Sequence, residues 1–155
     1  MPAVKAFETQ SAAMARLEAA ATDPSAAGDM AMLYGYMKLL DPSSVVRETE
    51  FATAAASGSL PEQIQGYATK LLNGQRLTPE QRADFLTRAQ MIYQGAETEY
   101  DEIRNQYIGI AERNKLPVDD AVPDFRYSKG VGAIPAGVTP EEWNAMTPEE
   151  KAAFQ

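Results

Sequence analysis

The sequence predicts an all-α fold, and three observations carry that expectation. Helix-start signals recur along the chain: Thr78-Pro79-Glu80-Gln81, Thr139-Pro140-Glu141-Glu142 and Thr147-Pro148-Glu149-Glu150 each set a capping hydroxyl first, Pro at the first helical position and Glu or Gln three residues after the cap. Apolar residues recur at three- and four-residue steps over long windows. No Asn-Gly or Asp-Gly pair flanked by alternating β-branched residues marks a hairpin.

Taken in order, the first helix is expected over Val4 to Ala21, with Phe7, Met14 and Leu17 as a modest stripe among alanines. Its weakness suggests a lever or docking arm. The second, Ala26 to Leu40, carries Met30, Leu33, Met37 and Leu40 on one face, widened by Met32 and Tyr36, and should bury that side. A third is expected from Asp41-Pro42 to about Ala56, stopping at Ser57-Gly58, with Asp41 as its cap. Ser59-Leu60-Pro61-Glu62 opens a short fourth, about Pro61 to Leu72, which stops at Asn73-Gly74.

The strongest periodic signal lies between Pro79 and Asn114. Leu86, Tyr93, Tyr100 and Tyr107 form one row and Ala89, Ala96, Ile103 and Ile110 the other, with alternating steps of three and four. That pattern is a seam for partner helices, from the same chain or a copy. Some 36 residues of helix would span about 54 Å. Tyr beside Ala should let backbones approach closely while the phenols reach the wet edge. Gly95 and Gly109 interrupt the helix on nearly one side; either something packs tightly there or the surroundings tolerate them.

The texture changes after Leu116. Residues 117–138, rich in Pro and Gly without sustained period, predict an extended arm rather than an element. Two short capped helices follow at 140–145 and 148–154, with Trp143, Met146 and Phe154 as apolar anchors for a docking surface on the chain itself or on a neighbour. This divides the chain into a helical bundle domain, 1–116, and an arm, 117–155.

Composition narrows the chemistry. The 155 residues include neither Cys nor His, which removes thiolate and imidazole catalysis and the usual zinc ligands. Fourteen basic against 22 acidic residues give a net charge of -8, which disfavours a grip on phosphate backbones. No apolar run reaches the length of a membrane span, and Glu8, Thr9 and Gln10 fall where an export signal needs an apolar block.

Two carboxylates, Glu48 and Glu50, invite comparison with an acid–base pair. Two residues apart on a helix, they point about 200° from one another and cannot share a substrate. Structural roles fit better: Val45, Val46 and Phe51 inward, Arg47 and Glu50 at the bundle edge, with Arg47 reaching an acid on a neighbouring helix. "GVGAIPAG" lacks the Lys, strand and helix of a phosphate loop. Asp119, Asp120 and Asp124 lack the Gly and closing Glu of a calcium loop. No catalytic residue, cofactor or metal ligand is assigned, and the chain reads as a non-enzyme.

"YGYMKLLDPSSVVRETEFATAA" followed by "LNGQRLTPEQRADFLTRAQMIY" resembles a segment of virion proteins of tailed bacteriophages and prophages, including large internal or DNA-ejection proteins. The likeness runs about from Asp29 to Pro117, and "GVTPEEWNAMTPEEKAAF" resembles C-terminal tails of phage proteins. It implies a virion structural protein, internal or tail-associated, made in the host cytoplasm and working with copies of itself and other virion proteins. No sequence-specific nucleic-acid binding is implied. In a ring or tube the acidic balance would suit a passive DNA conduit, whose negative wall lets phosphates slide. The alternative is an adaptor or scaffold that holds a partner through the long helix or the Trp143 arm; a cell-wall hydrolase accessory using Glu48 stands third.

Overall fold

A computed structural model describes residues 1–127, and within them the regular structure is all α-helix, with no strand. The elements are α1 (Pro2–Ala21), α2 (Ala26–Leu40), α3 (Glu48–Ala56), α4 (Glu62–Leu72), α5 (Pro79–Arg113) and α6 (Val118–Ala121). The expected arm beyond residue 127, the two short helices and the anchors Trp143, Met146 and Phe154 lie outside the described residues.

Local signals set most of these boundaries. The Ser25 hydroxyl accepts from the Gly28 N–H at 3.0 Å and starts α2. At α5 the capping box closes both ways: Thr78 Oγ1 accepts from the Gln81 N–H at 3.2 Å, and Gln81 Oε1 accepts from the Thr78 N–H at 3.0 Å. Gly58 and Gly74 follow α3 and α4 at φ +73° and +81°, a left-handed turn that a side chain would strain.

The first helix departs from expectation. Instead of a lever, α1 is packed into the bundle, with α2 along one side and α5 along another, while α2 itself also meets α3, α4 and α5. Phe7, Ala13, Met14, Leu17 and Ala20 are buried. Its alanines make the stripe look weak, yet small side chains allow close approach. At the α1–α2 contact a Cβ placed on Gly35 would stand 3.1 Å from Leu17 Cβ and 3.3 Å from the Ala13 carbonyl oxygen. The core continues through Met32, Leu33, Met37 and Leu39 of α2 to Phe51, Ile64 and Ala68 beneath it.

The third helix begins later than the sequence suggests. Asp41 does not cap a helix at Pro42; its Oδ1 accepts from the Ser43 N–H at 3.0 Å and folds residues 41–44 into a turn. Val45 and Val46 then run without helix, as β-branched residues tolerate well, and Val45 points out at 90% exposure rather than inward. Val46 is half-buried and Phe51 fully buried. Helix α3 starts at Glu48, and Glu50 Oε2 accepts from the Arg47 N–H at 3.3 Å. Arg47 is exposed and enters no ion pair among the described residues, so the expected bridge to a neighbouring helix is not made.

Both glycines of α5 lie in open surroundings. A Cβ at Gly95 would meet nothing within 4 Å, and one at Gly109 only the side chain of Arg113. Gly95→Ala is therefore expected to stabilise the fold by about 0.5–1 kcal/mol, through the helix-propensity difference alone. A urea melt checks it, and an unchanged or lowered midpoint would reveal a contact at that face. At Gly28 the sign reverses, because an added Cβ would sit on the Asp23 carbonyl oxygen.

Candidate interaction surface

The α5 ridge divides into a covered and a bare part. Ala89, Tyr93 and Tyr100 are buried, and Leu86 and Ala96 half-buried, against the chain's own α1, α2 and residues 122–127. Ile103 is half-buried; beyond it Tyr107 is 39% and Ile110 44% exposed. The reason is length. Helix α1 has 20 residues and α5 has 35, about 30 Å against 52 Å, so the seam's register continues past the end of the helix it packs on.

Aromatic stacking anchors the covered part. Phe7 of α1 lies flat on Tyr100, with centroids 4.1 Å apart and an 8° interplanar angle, and stacks on Tyr93 at 5.6 Å. The phenols do not reach water as expected. Tyr100 Oη donates to the Pro123 carbonyl at 3.0 Å and stands 3.3 Å from the Phe125 N–H; Tyr93 Oη accepts from the Tyr127 N–H at 2.6 Å and lies 3.1 Å from Ser11 Oγ. They hold a returning strap. The start of the expected extended arm thus forms a helical turn, α6, and then a segment laid across α5 and α1, because buried tyrosine hydroxyls need partners and backbone supplies them.

Charges pin the strap. Asp124 is held below the usual carboxylate range by the Arg126 side chain bonded to it, and Arg126 also lies 3.6 Å from Asp101 of α5. Tyr127 Oη donates to Glu18 Oε2 at 2.7 Å. Burial and then the Glu18 carboxylate push the Tyr127 phenol up to about 12, above the ordinary value near 10. A raised folded-state value favours the neutral form, so this contribution to stability is complete below about pH 10 and is lost as pH rises through 12. A spectrophotometric titration of native protein should show one phenol ionising near pH 12, absent in Tyr127→Phe. Absence of that late-ionising phenol from the parent protein would show the strap undocked.

The bare end opens onto a cavity of about 230 Å³ between the N-terminus of α1, the last turns of α5 and the strap, lined by Met1, Val4, Ile103, Tyr107, Val122 and Phe125 among others. It is an apolar recess with Arg104 at its side. A second concavity, about 380 Å³ between α1 and α2, gathers Lys5, Arg16 and Lys38 beside Glu8. Lys38 Nζ is occupied by the Ser44 carbonyl. The carboxylates considered for acid–base chemistry turn to different partners: Glu48 lies 3.9 Å from Arg16, with both side chains mostly in water, and Glu50 turns back to its own helix start. Among the described residues no three Asp or Glu side chains converge on a point that could hold a metal ion, and no helix is long and apolar enough to cross a membrane.

One cluster escaped the sequence reading. Asp29, in the first turn of α2, is wholly buried, and its carboxylate accepts from Arg76 Nε at 2.9 Å, from the Leu77 N–H at 3.1 Å and from Arg82 of α5. Arg82 also donates to the carbonyls of Ala20 and Ala21 at 2.8 and 3.2 Å, satisfying the end of α1. A signal for it existed: Asp29 sits four residues before Leu33 on the apolar face of α2, and a carboxylate there needs cationic company.

No family model, no curated protein sequence and no solved structure matches the chain.

Proposed function

We propose that this chain is a structural component of a tailed-bacteriophage virion, internal or tail-associated, that works by helix–helix assembly with copies of itself and with other virion proteins. The observation that carries the reading is the end of α5: from the half-buried Ile103 the seam register runs on through Tyr107, whose hydroxyl meets Met1, to Ile110, and Tyr107 and Ile110 are left exposed among the described residues, an apolar face that further helices would complete. The likeness of residues 29–117 to phage internal and ejection proteins supports the same reading, as does the acidic balance, which would keep a DNA passage free of adhesion. An adaptor that uses the same face on a single partner is the second reading, since a ridge end and recess suit one helix as well as several.

The test is sedimentation of the full chain, alone and mixed with purified virion proteins. An oligomer, or a complex with a virion component, is expected. A chain that stays monomeric in both would overturn the proposal, and a single one-to-one complex without self-association would favour the adaptor.

A further inference from the structure

We infer that the bare end of α5 pairs with the same helix end of a second copy, antiparallel, about a two-fold axis between Gln106 and Tyr107. The inference rests on the assembly reading above and specifies its first contact.

Charge carries it. Glu99 and Glu102 precede the apolar patch; Arg113 and Lys115 follow it. All four are exposed, and none makes an ion pair among the described residues, although Arg88, Arg104 and Arg126 on or beside the same helix do. With the exposed Glu112 turned about 200° from Ile110 and so off this face, acid before Tyr107 and base after it is a self-complementary arrangement only when the partner runs in the opposite direction. With the axis between Gln106 and Tyr107, Ile103 of one copy faces Ile110 of the other. Glu99 and Glu102 then lie beside Arg113 and Lys115 of the other copy, and every contact occurs twice. A parallel pairing would put acid on acid and base on base.

The alternate steps Ile103, Tyr107 and Ile110 supply the apolar line of such a pair, and Asn114 continues it toward the wet end. Ile110 stays 44% exposed among the described residues. Each copy carries a net charge of -8, so the two repel at a distance, and the local charge pattern sets the register of contact.

Because the chain has no cysteine, a single introduced thiol reads this geometry directly. Gln106→Cys lies beside the axis and is expected to give a disulfide-linked dimer on mild oxidation of the full chain. Met91→Cys, exposed on the same helix four turns away, is not. Sedimentation supplies the second readout: the concentration-dependent dimer should be lost in Ile110→Glu. It should weaken about tenfold or more in Arg113→Glu/Lys115→Glu, and return when Glu99→Lys/Glu102→Lys is added.

A monomer at every concentration overturns the inference, whether the chain's own residues 128–155 or another virion protein covers the face. So does a dimer that ignores the charge exchange. A monomer that still enters a complex with virion proteins would remove this contact while leaving the structural assignment standing, so the two failures are distinguishable.

Discussion

Replacing Asp29 with alanine is expected to cost about 3–5 kcal/mol, the range found when one partner of a buried ion pair is removed. The carboxylate is fully buried and receives two arginines and a backbone N–H. Without it, Arg82, whose side chain is only 10% exposed, keeps a charge with no anion to balance it. The loss would spread, since Arg82 also binds the α1 carbonyls and Arg76 the Pro24 carbonyl, so three segments lose a common tie. Equilibrium denaturation monitored by far-ultraviolet circular dichroism measures it. A double replacement, Asp29→Leu with Arg82→Met, should recover part of the loss, because it removes the uncompensated buried charge while the Leu77 N–H and the α1 carbonyls still lack their partners. A single-variant loss under about 1 kcal/mol would mean that water reaches the arginines, and the cluster would not be the clamp described.

The second large effect is expected at Phe7. Its ring is 2% exposed and stacked on both Tyr93 and Tyr100, and Phe7→Ala should cost about 3–5 kcal/mol through lost burial and the cavity left behind. The loss should also reach the strap, because the stacked tyrosines carry the hydrogen bonds that hold residues 123–127. Limited proteolysis would then cut near residue 123 in Phe7→Ala at protease levels that leave the parent chain whole. A double-mutant cycle with Tyr100→Leu should give a coupling of about 0.5–1.5 kcal/mol for the aromatic pair. A coupling near zero would reduce the stack to ordinary burial.

These two sites show what the sequence could and could not reveal. Helix starts were legible because their chemistry is local: Thr78, Pro79 and Gln81 cap α5 through contacts within four residues. The α5 seam was legible because periodicity needs no knowledge of the partner. Asp41 misled, since the same side chain that caps a helix also closes a turn, and which one forms depends on whether Val45 and Val46 accept helical backbone. The role of α1 was hidden in its alanines, which contribute little to an apolar stripe but decide how near α2 can come. The backbone partners of the Tyr93 and Tyr100 hydroxyls lie 34 and 23 residues away, so local pattern alone points those phenols to water. Distance along the chain likewise concealed the Asp29 clamp, whose members are separated by 47 and 53 residues. Where the cover of the α5 seam ends was not legible, because it depends on where α1 stops.

That separation has a consequence for synthesis. Phe7 meets its ring partners only once Tyr93 and Tyr100 exist, and the strap closes with Tyr127. At about 5–20 residues per second, a ribosome needs on the order of ten seconds to make the intervening chain. Throughout that interval the flank of α1 that α5 later covers stays open to solvent, while α2, made next in line, can already shield the other side.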